Sequence, residues 1–326
     1  PHGVHCVMPA AEVAEVCQRK AKMFSHVREQ GVPAATYRSV ADGRESLLSA
    51  VDEVGLPCII KPEDETSRVF GKKAFIAVTR QALIEALARH ESESEAVPQA
   101  VIVQKYCLGG RRNIYFFAEH GDVQASVEVE IDRTDQWDGT GYAVEGHSVQ
   151  PDPDWTAHLH RLARSLKYHG AGCLQYVVDP DTSEATFLEI NARLGANVAC
   201  ALDCGLDLPS WWVGLFNKGE AKLPVPTSFT YPVGRRYTWL YGDLLGWRKA
   251  AAHGQLSKSQ LASWFLAMLL ANLRSQTHVT FRWSDPLPTI TLFRQLLGGQ
   301  LSRLGERIFQ NKRRHARVDT RPTAVT

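Results

Sequence analysis

Phe187-Leu188-Glu189-Ile190-Asn191-Ala192-Arg193 is the stretch on which the reading of this chain turns. In an extended strand successive side chains face opposite ways, so Glu189 and Asn191, with Arg193 in phase beyond them, share one face. Leu188 and Ile190 take the other. Upstream, Cys173-Leu174-Gln175-Tyr176-Val177 has the character of a partner strand, and Pro180-Asp181-Thr182-Ser183-Glu184 has turn composition. If Asp179 faces Ala185 across that turn, antiparallel pairing sets Gln175 opposite Glu189. Gln175, Glu189 and Asn191 then converge as a hard-oxygen set that suits Mg²⁺ and leaves positions for phosphate oxygens. A solvent-facing polar hairpin would show the same alternation, so the reading needs support from elsewhere.

Lys61 closes the apolar run Gly55–Lys61 (GLPCIIK) just before Pro62. A lysine there puts a point charge at a strand's carboxyl end, where it can meet phosphate oxygens. A merely solvated strand-end lysine is the alternative. The polar loop Pro62–Lys73 follows, and Lys72 and Lys73 lead into a second strand, Ala74–Thr79. Farther on, Val101-Ile102-Val103-Gln104-Lys105-Tyr106 is apolar and turns polar before Gly109-Gly110. The edge of such a strand can offer backbone N–H and C=O groups to an adenine, with Gln104 as side-chain partner.

In order and spacing these pieces resemble the ATP-grasp superfamily, most nearly its carboxylate–amine ligase and carbamoyl-phosphate-synthase-like branch. The similarity covers roughly Lys20–Glu220, through GVPAATY, GLPCIIKP, VIVQKYCLGG, HGAGCLQYVVD and FLEINARLGANVA. It implies an α/β (α+β) fold of two lobes with antiparallel sheets and flanking helices, plus a mainly helical C-terminal extension. It implies ATP and Mg²⁺ as cofactors, with Mn²⁺ as a substitute metal. On this resemblance Lys61, Lys73, Gln104, Lys105 and Tyr106 hold the nucleotide. Gln175, Glu189 and Asn191 hold the metal, Gln175 standing where most relatives have Asp or Glu. Arg193 and Lys61 would be the catalytic cations, and Arg133 and His147, in the stretch Asp132–His147, would meet the substrate.

Three features depart from the family pattern. Pro62–Lys73 contains only Gly71, where many relatives are glycine-rich. Cys107–Asn113 carries Arg111 and Arg112 but no acid, where relatives often place a ribose ligand. Relatives also have an N-terminal α/β domain before the position of Lys20, and residues 1–19 correspond only to its stub. The expected organisation is therefore a stub (1–19), an N-terminal lobe (20–99), a C-terminal lobe with the metal site (100–222), an extension (223–310) and a disordered basic tail (311–326).

Other segments fit this frame. A helix is expected over Val13–Gln30, a short amphipathic one over Arg80–His90, and one capped by Asp154 with Leu159, Leu162 and Leu166 as its buried stripe. Strands are expected at Asn113–Glu119, Ala125–Ile131, Cys173–Asp179 and Ala185–Asn191, a helix near Asn197–Cys204, and a turn at Asp285–Pro288. The apolar run Leu261–Leu273 is too short to span a bilayer and reads as a buried helix, packed on the core or at an oligomer interface.

Lys+Arg 37 against Asp+Glu 35 gives a net charge of +2, which removes any bulk electrostatic case for nucleic acid. The 7 cysteines form no CxxC pair, which points to a reducing, cytoplasmic setting. No P-loop motif or nucleophile elbow occurs. His158 and His160 are two apart on a helix and cannot share a metal, and Cys200 and Cys204 lack zinc-completing neighbours. Lys312-Arg313-Arg314 reads as a solvated tail.

The expected activity is an ATP-dependent carboxylate–amine ligase working through an acyl phosphate and releasing ADP and phosphate. Its partners would be ATP, a small carboxylic acid and an amine, with a homo-oligomer or a separate N-terminal subunit completing it. Two alternatives stand beside this. One is a bicarbonate-phosphorylating enzyme of the carbamoyl-phosphate-synthase kind, and the other a catalytically silent ATP-binding subunit.

Overall fold

The structure, a computed structural model, describes residues 9–295 apart from 42, 65, 93–99, 196 and 215–228. The chain divides into two units, Pro1–Val279 and Thr280–Thr326. The expected basic tail, with Lys312-Arg313-Arg314, lies outside the described residues.

The helix expected over Val13–Gln30 is two, α1 (Ala11–Gln18) and α2 (Lys20–Glu29), broken at Arg19, whose backbone is extended. The break lets Val13 and Cys17 of one helix and Met23, Phe24 and Val27 of the other enter the same core. β1 (Tyr37–Val40), α3 (Arg44–Val54), β2 (Cys58–Pro62), β3 (Phe75–Ala77), α4 (Arg80–Ser92) and β4 (Val101–Lys105) follow. The four strands form an antiparallel sheet ordered β1-β4-β2-β3. Cys58 and Ile60 point into a core shared with Leu47, Val51 and Leu83. Strand alternation therefore turns Ile59 and Lys61 to the opposite face.

The second lobe is built on β5 (Gly110–Glu119), β6 (Asp122–Thr134), β7 (Ala143–Ser148), α5 (Pro153–Leu166), β8 (Gly170–Val178) and β9 (Ala185–Asn191), with α6 (Val198–Asp203) and α7 (Leu208–Gly214) behind. Asp152, not Asp154, caps α5: its Oδ1 accepts the N–H groups of Asp154 and Trp155 at 2.9 and 3.2 Å. Pro153 occupies the first helical position, where a missing N–H costs nothing. Leu159 and Leu162 are fully buried beneath α5, and Leu166 partly.

The block beyond residue 223, expected as a helical extension, is partly sheet in its described portion. β10 (Arg236–Thr238) pairs antiparallel with β7, and β11 (Thr277–His278) parallel with β10. The seven-stranded sheet runs β11-β10-β7-β6-β5-β8-β9. Between its last two strands in sequence lie α8 (Leu240–Ala252) and α9 (Lys258–Arg274), the latter opened by a Ser257/Gln260 capping box. The run expected as a buried helix is α9, but only Met268 and Ala271 are buried, while Leu266, Leu269 and Leu273 are exposed. Among the described residues no helix is long and apolar enough to cross a membrane. In the second unit, Arg282 and Asp285 form an isolated bridge and the backbone is helical over 287–295, so the expected turn ends at Pro286.

Candidate active site

β8 and β9 carry the oxygen cluster. Near their turn Val178 pairs with Ala185, one residue from the expected Asp179–Ala185 pairing, because Asp179 instead caps the turn by accepting the N–H groups of Asp181 and Thr182. A bulge then follows: Tyr176 pairs with Phe187 and Gln175 with Glu189, and the extra residue, Leu188, restores the register. Asn113 of β5 is opposite Gln175 on its other side. Asn113, Gln175 and Glu189 thus form one row across the sheet. Asn191 is buried and donates through Nδ2 to Glu189 Oε1 at 2.8 Å. That bond orients the carboxylate and keeps the amide oxygen of Asn191 as an acceptor or metal donor.

These side chains line one cavity of about 560 Å³, together with Lys61, Lys73, Gln104, Lys105, Tyr106, Arg193 and Arg133. His147 is not among its lining residues. Among the described residues, eight cationic side chains (Lys20, Lys61, Arg68, Lys73, Lys105, Arg111, Arg133, Arg193) and four carboxylates (Asp64, Asp132, Asp138, Glu189) line it. A cavity with that excess favours a polyanion, although the chain as a whole is nearly neutral.

Lys61 reaches in from the first lobe and donates to Gln104 Oε1 at 3.2 Å. Burial pushes its ammonium down to about 8, against the pull of Glu189 and with repulsion from Lys20 and Arg111. Gln104 is buried. β4 is a central strand, not an edge: the N–H of Lys105 is taken by Thr36 O at 2.8 Å and that of Tyr106 by Pro57 O at 3.2 Å. Lys105 Nζ donates to Leu56 O at 3.1 Å. A base docking here is therefore left with the chain beyond Tyr106 and with the Gln104 side chain.

The loop between β2 and β3 is shaped by side chains rather than by glycine. Asp64 accepts from the backbone of Thr66 and Ser67 at 2.8 and 2.9 Å and from both hydroxyls, and these bonds hold its carboxyl well below the usual range. Val69 and Lys72 exchange both backbone bonds across Phe70 and Gly71, whose φ values are +49° and +70°, a type I′ turn. Val69 is fully buried. Lys73 then meets Tyr142, bonding its hydroxyl and lying 3.9 Å from the ring centre.

The two residues assigned to the substrate are engaged internally. Arg133 Nε donates to Glu145 at 2.6 Å, and its two terminal nitrogens grip Asp243 of α8 at 3.1 and 2.6 Å. Trp264 of α9 donates to the same carboxylate at 2.6 Å. A substrate carboxylate would have to displace one of these partners. His147 is 3.1 Å from Asp132, which is also bonded by Arg236 at 2.8 Å. Lys20, Arg111 and Asn113 also line the cavity, although no sequence motif assigns them a site role. Asn113 is buried with Oδ1 unpartnered, hidden in the sequence by the apolar run that follows it.

The oxygen donors fit Mg²⁺. Gln175, Glu189 and Asn191 offer one charge and two amide oxygens, the sparse hard set that the ion combines with phosphate oxygens. Among the described residues no group of three His, Cys, Asp or Glu is placed to hold a metal.

Residues 155–213 match the family model for the carbamoyl-phosphate synthase L chain, ATP binding domain. The methylcrotonoyl-CoA carboxylase subunit alpha of Glycine max is 24% identical over 249 residues, covering 67% of this chain and 33% of its own. The carbamoyl phosphate synthase large chain of Methanothermobacter thermautotrophicus is 25% identical over 206 residues, 61% of this chain and 19% of its own. The chain thus spans about a third or less of these curated relatives. Among solved structures, the biotin carboxylase of Campylobacter jejuni superposes with a TM-score of 0.56 at 18% identity, over 72% of this chain and 53% of that one. The biotin carboxylase domain of Hydrogenobacter thermophilus 2-oxoglutarate carboxylase gives 0.55 at 14%, over 68% and 49%. Such identities establish the fold. The resemblance to the ATP-grasp superfamily and its carbamoyl-phosphate-synthase-like branch holds.

Proposed function

We propose that this ATP-grasp chain uses ATP to phosphorylate a carboxylate and passes the activated acyl group to an amine. The observation that carries the reading is the meeting of Lys61 from one lobe with the Gln175, Glu189 and Asn191 cluster of the other in a single, cation-rich cavity. Lys61, Lys73 and Arg193 offset the charge of the polyphosphate, which otherwise repels an incoming carboxylate. Gln175, Glu189 and Asn191 hold Mg²⁺, which supplies charge neutralisation and alignment of the phosphates. With the reactants held in line, a carboxylate oxygen bonds to the terminal phosphorus and ADP departs. The amine nitrogen then bonds to the acyl carbon, inorganic phosphate and the amine's proton leave, and an amide is formed.

Bicarbonate as the acid is a second reading, favoured by the relatives, which are carboxylases and a carbamoyl phosphate synthase. One experiment separates the two. ADP release is followed with Mg·ATP and hydroxylamine, against a panel of organic acids and against bicarbonate alone. Hydroxamate formation with an organic acid supports the ligase reading, and bicarbonate-dependent turnover without any organic acid supports the second. Absence of Mg²⁺-assisted ATP binding in calorimetry would sink both and leave a silent scaffold.

A further inference from the structure

We propose that Arg111 is a further polyphosphate-binding cation beside Lys61, Lys73 and Arg193, reaching the nucleotide from the floor of the cleft while Lys61 reaches it from the other lobe. The inference rests on the nucleotide-binding reading above. Arg111 lies on β5 between Val177 of β8 and Ile131 of β6, two residues before Asn113 and so on the same face. It stands one row from the Asn113, Gln175 and Glu189 row, toward Gly109 and Gly110, where the chain coming from β4 enters β5. That is the path between a docked base and the oxygen cluster.

The neighbouring arginines show what is unusual. Arg112 pairs with Glu128 and Glu130 at 2.9 and 2.8 Å, and Arg133 with Glu145 and Asp243. Arg111, half-buried in the cavity wall, makes no ion pair among the described residues. Its NH1 donates to Gly141 O at 2.9 Å, and its Nε is buried without a partner. A guanidinium carries five donors and no acceptor, so a half-buried one holding a single carbonyl has donors to spare for an anion. Gly141 is also next to Tyr142, on which Lys73 rests. Two cations of the cleft thus wait on adjacent residues of the β6–β7 loop, bound to neutral acceptors weaker than phosphate oxygens.

The test is calorimetry of the full chain with adenosine, ADP and ATP in Mg²⁺, comparing wild type with Arg111→Met. Loss of a charged hydrogen bond corresponds to about tenfold to a hundredfold in affinity. The expected result is that loss for ADP and ATP, with adenosine unchanged within about twofold. Equal ATP affinity in both proteins would overturn the assignment, and so would an equal loss for adenosine, which would mark Arg111 as structural. Failure of wild type to bind ATP would overturn the nucleotide reading itself. If Arg111→Met does not fold, the wild type still decides: ATP, but not adenosine, should shield Arg111 from phenylglyoxal, and unshielded modification refutes the proposal.

Discussion

Asp243→Ala should be among the most damaging substitutions outside the cleft, and its cost can be worked from the structure. The Asp243 carboxylate is fully buried and accepts three bonds, two from Arg133 and one from Trp264 at 2.6 Å. Removing one partner of a buried ion pair costs about 3–5 kcal/mol, because the remaining charge is left uncompensated. Arg133 keeps Glu145 at 2.6 Å, which places the loss at the lower end, about 3 kcal/mol. Against a total stability of about 5–15 kcal/mol this is a large fraction. It corresponds to a fall in Tm of at least about 5 °C. Urea unfolding of wild type, Asp243→Ala and the triple variant Arg133→Met/Glu145→Gln/Asp243→Asn measures it. The triple variant should recover more than half of the loss, since it removes all three charges of the network and keeps an amide oxygen for Trp264. A loss under about 1 kcal/mol for Asp243→Ala, or a triple variant worse than the single, would refute the argument that charge compensation fastens α8 and α9 to the sheet.

Three further outcomes follow from the site. Glu189→Ala should lower Mg²⁺-dependent ADP release by about a hundredfold or more, and retention of half the wild-type rate in a coupled assay would remove Glu189 from the metal site. Lys61 titrates near 8 instead of 10.5, so above that pH the free protein has lost a charge that ATP must restore by proton uptake. ATP affinity should therefore fall as pH rises from 8, by up to about tenfold per unit, with uptake approaching one proton at pH ~9. Calorimetry in two buffers of different ionisation enthalpy reads this, and a Lys61→Met protein should show a flat profile. A Cβ on Gly109 would lie 2.1 Å from Val178 O, so Gly109→Ala must displace the link between β4 and β5. ATP affinity measured by calorimetry should drop by at least about tenfold in that variant, in line with the kcal-scale cost of strained backbone.

What the sequence could reveal followed from how local the signal was. Alternation in FLEINAR marks the face of Glu189 and Asn191 without reference to anything distant, and that face does line the cavity. The Gln175–Glu189 register was reached through a wrong pairing at the turn. The capping role of Asp179 and the bulge at Leu188 shift the strands in opposite senses and cancel. β10 and β11 are three and two residues long, too short for any period to register, so the sheet's extension was invisible. Arg133 reads as an open cation in sequence because its partner Asp243 is 110 residues away. The helix α9 is mostly apolar between Leu261 and Leu273, but periodicity reports amphipathicity and not what covers a face, and Leu273 is 83% exposed.

The glycine-poor loop between β2 and β3 bears on how the cleft is set up. A flexible glycine loop must be ordered when the nucleotide arrives, and each residue fixed costs about 1–2 kcal/mol of backbone entropy. Over residues 66–73 that ordering is already present. Asp64 ties Thr66 and Ser67, Val69 is buried, and Phe70 stacks edge-on against Phe75 and His90 at 5.0 and 5.5 Å. The chain that leads to Lys73 is thus prearranged, with only the lysine side chain left to move from Tyr142. On the far wall, Arg111 is positioned by a rigid strand of a seven-stranded sheet. A cleft assembled this way selects for anionic charge at fixed positions, and few binding-site residues are left to order around the nucleotide.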